Sequence, residues 1–144
     1  MCHVPCLLGS DRNICVEMMV DTGAESSVIS LQLAKELKLE SYIDRNYQGI
    51  ASGVGKARII GMIRNVVATF GHVEFRMEFM VLEVPERLLL MGMDQMRKYN
   101  CIIDLQKDVI VFGGTGGVEV PMLPPDQAPK YDPRMMAGEM CTIS

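Results

Sequence analysis

The sequence has no cluster of lysine or arginine and no long apolar run. Its 14 basic residues are outnumbered by 18 acidic ones, and the net charge of −4 argues against a nucleic-acid-binding surface. No apolar stretch reaches the length needed to cross a bilayer. The first five residues also lack the charged start and apolar body of a secretory signal. We therefore expect neither a nucleic-acid nor a membrane partner.

Histidine and cysteine are sparse and do not form a recognisable catalytic or metal-binding pattern. His72 stands alone at a predicted turn, where we expect it to be exposed, and its spacing pairs it with no nucleophile. Cys2, His3 and Cys6 lack a second pair of ligands, which disfavours a zinc site. The five cysteines are an odd number and are scattered, at Cys2, Cys6, Cys15, Cys101 and Cys141. This usage predicts reduced thiols in the cytosol rather than a disulfide framework.

The sequence does contain an aspartate set between two apolar runs. Met18-Met19-Val20 leads into Asp21-Thr22-Gly23, and a second apolar run follows at 28–29. A carboxylate at the end of a buried strand is costly unless it is hydrogen-bonded. The Thr22 hydroxyl can bond nearby backbone, and Gly23 lets backbone N–H groups approach the carboxylate closely. This Asp-Thr-Gly turn resembles the active-site motif of the aspartic proteases; a purely structural turn is the competing interpretation.

Three glycines within seven positions predict a hairpin tip at residues 49–55. A phosphate-binding loop is excluded by spacing, because Ile50 stands where that loop needs glycine and Ala57 stands where it needs serine or threonine. A flap over a cleft fits better, since glycine lets a hairpin open and lets its backbone approach an extended substrate. An ordinary glycine-rich surface hairpin remains the alternative.

The rest of the chain predicts short strands, glycine turns and two short helices. Ser30 is expected to cap a helix over 31–39, with Leu33 and Leu37 on one apolar face. Asp94 is expected to cap a second helix over 95–99. The 144 residues suit one domain, and the strand pattern predicts an all-β fold, a small closed barrel or sandwich over residues 1–124. Residues 125–144 are rich in proline and polar side chains and are expected to be mostly disordered.

Four stretches occur together in the order typical of one family. They are the Asp-Thr-Gly turn, the glycine-rich stretch at 49–56, the step Ile59-Ile60-Gly61, and the apolar strand-to-helix step at 88–97. The chain thereby resembles a retroviral-type (retropepsin-like) aspartic protease domain. Within that class it is most similar to the DNA-damage-inducible protein 1 family of ubiquitin-linked proteasomal shuttle proteases. Many of those proteins have Asp-Ser-Gly where this chain has Asp-Thr-Gly.

The chemistry of this class needs two carboxylates that share one proton. The chain has a single Asp-Thr-Gly, and neither Asp94 nor Asp104 is followed by the required residues. The sequence therefore predicts a symmetric homodimer with Asp21 of each subunit at the two-fold axis. The resemblance implies that Thr22 bonds across the interface and that the Gly23 N–H contacts the carboxylate. This chemistry requires no metal and no cofactor.

The resemblance also implies how substrate is held and where the protein acts. Ile50, Val54 and Met91 are expected to line side-chain pockets. The implied function is aspartic endopeptidase activity on extended polypeptides, ubiquitylated ones among them, in the cytoplasm and also the nucleus. A catalytically silent module for dimerisation or protein binding is the alternative. The flap residues expected to bind substrate are Gly49, Ile50, Ala51, Ser52, Gly53, Val54 and Gly55.

Overall fold

The computed structural model of the chain describes residues 2–9, 15–47, 49–51 and 57–122. The helices are α1 (Leu31–Glu36), a short 3₁₀ helix (Glu40–Tyr42) and α2 (Met93–Lys98). The strands are β1 (Cys2–Leu8), β2 (Cys15–Val20), β3 (Val28–Ser30), β4 (Gly49–Ala51), β5 (Ala57–Phe70), β6 (Val73–Glu83), β7 (Leu89–Met91), β8 (Ile102–Asp104), β9 (Val109–Phe112) and β10 (Val118–Pro121). The predicted tail, 125–144, lies outside the described residues.

The larger sheet closes into a barrel. Its strand order is β1-β2-β7-β3-β6-β5-β4, and additional pairing of β1 with β5 joins the two ends of the six-stranded part. Two neighbouring pairs are parallel, β2 with β7 and β3 with β6, and the other pairs are antiparallel. The remaining strands form a smaller sheet of order β10-β9-β8. The predicted small closed β fold with two short helices is confirmed.

The interior divides into two apolar clusters. The main cluster contains the fully buried Phe79 and Phe112 and extends from β1 and β2 to β9 and β10. Burial of each such side chain contributes about 1.5–3 kcal/mol to folding. The second cluster joins Val28 of β3, Ala57 and Ile59 of β5, and Leu82 of β6. This second cluster packs the strand that leaves the Asp-Thr-Gly turn against the start of β5.

Helix α1 is shorter than predicted. It begins after Ser30, whose hydroxyl accepts a hydrogen bond from the Leu33 N–H as expected, but it ends at Glu36. Lys38 adopts a left-handed backbone conformation with φ of 60°, and the Leu39 N–H bonds to the Ala34 carbonyl. This closing turn ends the helix because it directs Leu39 into the main cluster.

Strand β5 is a single long strand, although the sequence pattern predicts short ones. It runs from Ala57 to Phe70, and its register with β6 shifts between Ile63 and Val66. A β-bulge absorbs the irregular stretch without ending the strand. The turn at Gly71-His72 and the exposure of His72 are as predicted.

Two side-chain predictions were wrong. Met91 is fully buried in the main cluster, so it does not line a substrate pocket. Cys6 and Cys101 are free thiols, but Cys15 is disulfide-bonded, contrary to the expectation of reduced cysteines throughout. In the described part of the chain, no helix combines the length and apolar character needed to span a membrane.

Candidate active site

Asp21 stands at the end of β2, where the strand leaves the barrel for a tight turn. Its backbone N–H donates to the Met91 carbonyl at 3.1 Å, continuing the parallel pairing of β2 with β7. The Gly23 N–H donates to Asp21 Oδ1 at 2.9 Å, as the sequence predicted. A Cβ on Gly23 would lie 3.2 Å from the same oxygen, so glycine gives the carboxylate its closest approach to backbone. The Asp21 side chain is therefore held by its own turn while staying partly exposed.

The turn between β7 and α2 holds the residues that follow Asp21. The Met93 N–H donates to the Ala24 carbonyl at 2.7 Å, and the Asp94 N–H donates to the Glu25 carbonyl at 3.0 Å. Gly92 packs so tightly here that a Cβ would lie 2.8 Å from backbone atoms of Ala24 and Ser26. Two segments about 70 residues apart in sequence thus form one rigid unit around Asp21.

A buried serine completes this unit. The Ser27 hydroxyl accepts a hydrogen bond from the Gly92 N–H at 2.9 Å and donates to Asp94 Oδ1 at 2.6 Å. The prediction that Asp94 caps α2 was wrong, because the helix begins at Met93 with Gly92 as its N-cap. The Asp94 carboxylate is instead used to fix Ser27. Sequence reasoning missed Ser27, although a serine placed before two buried apolar residues was an available signal.

Replacing Ser27 with alanine is expected to destabilise the protein by about 1–3 kcal/mol, because the Gly92 N–H and the Asp94 carboxylate each lose a partner in a buried setting. Urea unfolding followed by circular dichroism measures the change. Ser26→Ala is the matched control, since Ser26 makes no side-chain hydrogen bond among the described residues. Equal stabilities for the two variants would show that the Ser27 contacts contribute nothing.

Thr22 lies exposed next to Asp21 and borders a cavity of about 280 Å³ lined also by Met93, Met96 and Cys101.

Burial raises the pKa of the Cys101 thiol to about 11 and that of Cys6 to about 12, so both thiols stay protonated at neutral pH. A thiolate is the reactive form of cysteine. Neither free thiol in the described part of the chain therefore competes with Asp21 as the reacting group.

The predicted flap is described only in part. Gly49–Ala51 form β4, which pairs with residues 57–59 of β5, and Ser52, Gly53, Val54 and Gly55 lie outside the described residues. The second apolar cluster carries Ala57 and Ile59 of the same hairpin together with Val28, seven residues after Asp21. The base of the predicted flap thus packs against the strand that leaves the Asp21 turn.

A closed β-barrel that presents Asp-Thr-Gly on a turn braced by a glycine-containing strand-to-helix step defines a retropepsin-like aspartic protease domain. The aspartyl protease family model matches residues 1–104, and the chain belongs to that family.

Comparison with known proteins shows which retropepsin-like domains the chain is similar to. The chain is 39% identical to Protein DNA-DAMAGE INDUCIBLE 1 of Arabidopsis thaliana over 108 residues. These residues are 75% of this chain and 26% of that protein. Its structure matches the retroviral protease-like domain of Ddi1 from Leishmania major with a TM-score of 0.73 and 28% identity, over 86% of this chain and 94% of that one. The equine infectious anaemia virus (EIAV) protease shares the fold, with a TM-score of 0.51 and 22% sequence identity. The match covers 72% of this chain and 91% of the viral protease chain.

These matches confirm the resemblance to the DNA-damage-inducible protein 1 family that the sequence motifs indicated. The chain spans about a quarter of the length of the curated relatives it matches.

Proposed function

We propose that the protein is an aspartic endopeptidase that acts as a homodimer, with Asp21 contributed by each of two subunits. The observation that carries this proposal is the Asp21 carboxylate, held by the Gly23 N–H in a turn that is itself braced by the Ser27–Asp94 contact. A partly exposed carboxylate fixed this firmly is preorganised for chemistry.

The reaction follows from bringing two such carboxylates together. Two adjacent carboxyl groups cannot both ionise, so they share one proton. The ionised Asp21 removes a proton from a water molecule, which attacks the carbonyl carbon of the peptide bond. The protonated Asp21 of the second subunit donates its proton to the carbonyl oxygen. Collapse of the tetrahedral intermediate then breaks the C–N bond, and the amine leaves with a proton returned by the dyad.

A second copy of the chain must supply the other carboxylate. In the described part of the chain, no second aspartate hydrogen-bonds to the Asp21 side chain. Asp94 does contact the turn, but its carboxylate accepts hydrogen bonds from the Ser27 hydroxyl and the Gln95 N–H. Thr22, next to Asp21, is exposed, which supports a bond across a two-fold axis.

The cavity bordered by Met93 and Met96 lies beside Thr22. Two apolar side chains are exposed nearby, Ile102 in β8 and Leu105 directly after β8, and Leu105 is 70% exposed. Exposed apolar groups beside the catalytic turn support a contact surface at this position.

Substrate is held by the flap in this proposal. Residues 49–55 close over an extended polypeptide and pair with its backbone, in the manner of an added strand. Within the described residues β4 is the last strand of its sheet, and this position and the packing of the flap base against Val28 support the arrangement. The resemblance to the DNA-damage-inducible proteins supports substrates that include ubiquitylated polypeptides, turned over in the ubiquitin–proteasome pathway in cytoplasm or nucleus.

The test of the proposed activity is incubation of the full chain with a diverse peptide library at mildly acidic and at neutral pH. Mass spectrometry of the products should reveal cleavage. A peptide carrying statine at the scissile position should inhibit it, because the statine hydroxyl mimics the tetrahedral intermediate. Cleavage insensitive to statine would point to another mechanism. No cleavage by a dimeric protein would favour the catalytically silent binding module.

The homodimer has its own test in analytical ultracentrifugation at micromolar concentration. We expect about twice the chain mass, and we expect specific activity to fall on dilution as dimers dissociate. A monomer that keeps full specific activity at every concentration would contradict the shared active site.

A further inference from the structure

A second concave site lies away from the Asp21 turn. A cavity of about 440 Å³, here called the β5 cavity, is lined by Gly9, Leu39, Tyr42 and residues 63–67 of β5. None of residues 21–27 lines it. Its volume falls in the range of sites that hold ligands, about 300–1,000 Å³. The proposed proteolytic mechanism makes no use of it.

Among the described residues, no strand pairs with the outer edge of β5 at this cavity. On one side of the gap Met62 exchanges two backbone hydrogen bonds with Asp44, at 2.8 and 3.1 Å. On the other side Val67 accepts a bond from the Gly9 N–H at 2.8 Å, and β1 pairing continues from there. Residues 63–66 between these points have no outer partner strand within the described residues. Four residues of strand leave an open edge about 13 Å long.

The bulge in β5 fixes how this edge is presented. Ile63 pairs with Phe79 and Val66 with Met77, so Arg64 and Asn65 together face the single residue Glu78. Asn65 has φ of 59°, the left-handed geometry that accommodates the extra residue. Since the Met62 N–H and C=O point to the outer edge, strand alternation directs those of Arg64 the same way. The open edge therefore presents a backbone donor and acceptor of Arg64.

The walls of the cavity suit an apolar side chain. Leu39, Ile63 and Val66 are buried and form its floor, while the Tyr42 ring stands at the rim with 64% of the residue exposed. Arg64 and Asp44 pair at 2.7 Å at the same rim, and this hydrogen bond with Arg64 keeps the pKa of Asp44 below its usual range. The rim thus offers no unbalanced charge to attract an ion. An extended peptide suits this site, because its backbone can pair with the open strand edge while one of its apolar side chains contacts the apolar floor.

We propose that the β5 cavity is a second polypeptide-binding site, in which an extended segment of the substrate pairs with residues 63–66 of β5 and inserts an apolar side chain beside Tyr42. The substrate is the occupant because β5 runs without a break from this site to the predicted flap, so one polypeptide can contact both the middle of the strand and its first residues. The identity of that polypeptide rests on the proposed function. Long substrates would gain affinity from this contact, and peptides that fill only the cleft would not.

Close backbone contacts connect the β5 cavity to the strand that supports the predicted flap. At Gly61, between the cavity and the flap, a Cβ would lie 2.4 Å from Ile43 Cγ2 and 2.6 Å from the Asp44 carbonyl oxygen. The segment that borders the cavity is therefore in close backbone contact with the strand that supports the flap. A polypeptide added at residues 63–66 would extend the pairing that Asp44 begins.

The test uses the full chain carrying Asp21→Asn, so that a bound polypeptide is not cleaved. Reduced and alkylated α-lactalbumin serves as the unfolded polypeptide, and hydrogen exchange is followed by NMR at single amides. We expect the Arg64 amide to exchange readily in the protein alone and to become protected when the polypeptide is added. No change at Arg64 on saturation with polypeptide would overturn the proposal. Protection of Arg64 before any polypeptide is added would overturn it too, since the chain itself would then fill the edge.

A pair of tyrosine variants provides an independent readout. Tyr42→Ala should weaken polypeptide binding at least about fivefold, as expected for an aromatic anchor at a binding site. Tyr47→Ala removes another exposed tyrosine that does not line the cavity and should bind as the parent does. Equal affinities for the two variants would contradict the proposal. Because binding is measured in a variant that needs no catalysis, failure here is separate from failure of the parent chain to cleave peptides.

Discussion

Asp21→Asn is expected to lower peptide cleavage by at least about 10³-fold while leaving the fold and the dimer intact. An amide cannot take the proton from water or donate one to the peptide carbonyl, and each such proton transfer is worth about 10²–10⁴ in rate. In the proposed dimer both roles are lost at once, because each subunit would supply the same residue. Asparagine has nearly the same shape as aspartate and can still accept the Gly23 N–H bond.

The control for this variant is Asp104→Asn, which changes the same functional group at the end of β8. Asp104 accepts bonds from the Gln106 and Lys107 N–H groups, and asparagine can accept them as well. The parent, Asp21→Asn and Asp104→Asn should have similar sedimentation and thermal unfolding, with only Asp21→Asn inactive. Retention of cleavage above one tenth of the parent rate in Asp21→Asn would remove Asp21 from the chemistry.

Gly92→Ala is expected to reduce turnover by about 10²-fold or more and to destabilise the protein by about 1–3 kcal/mol. The added Cβ would lie 2.8 Å from the Ala24 carbonyl oxygen and from the carbonyl carbon and oxygen of Ser26. These are backbone atoms, so the clash can be relieved only by moving the segment that follows Asp21. Overpacking a tight contact typically costs this much stability. A displacement near 1 Å at a reacting group can cost two orders of magnitude in rate.

The control is Gly71→Ala at the turn between β5 and β6. No atom lies within 4 Å of a Cβ there, although φ of 63° imposes backbone strain of about 1–2 kcal/mol on alanine. The two variants should therefore lose similar stability, and only Gly92→Ala should lose turnover. Both quantities are measured on the same preparations, by urea unfolding and by initial rates on a library-derived peptide. Equal turnover in the two variants would show that the β7–α2 turn does not position Asp21.

The candidate site was predictable where its chemistry is local. Asp21, Thr22 and Gly23 occupy consecutive positions, and the bond from the Gly23 N–H to the carboxylate closes within that turn. The function of Asp94 was not predictable in this way. An aspartate before a helical stretch favours a capping role, but Asp94 bonds to Ser27, 67 residues earlier in the chain. Capping preferences describe contacts between neighbours in sequence, and this contact is formed by the packing of β7 beside β2.

Helix α1 and strand β5 were also predictable from the sequence only in part. Leu33 and Leu37 are both buried, as their spacing predicted, yet α1 stops at Glu36 and Leu37 is only its C-cap. The end of α1 depends on the burial of Leu39, a tertiary contact that outweighs the favourable helix propensity of the leucines and the lysine at 37–39. The length of β5 was hidden for a related reason. Its bulge at 64–65 breaks the strict alternation from which a strand is predicted, while pairing with β6 keeps the strand whole.

The sequence by itself determined the Asp-Thr-Gly turn, the all-β class and the family resemblance. Each depends on residue identity and on short spacings, which are written directly in the chain. Only the tertiary structure decided that β1 meets β5 to close the barrel and that Ser27 and Asp94 brace the turn of Asp21. It also decided that residues 63–66 border a cavity where no other described strand pairs with their outer edge. These features arise when distant segments pack together, and a local pattern does not specify which distant segment will supply the partner.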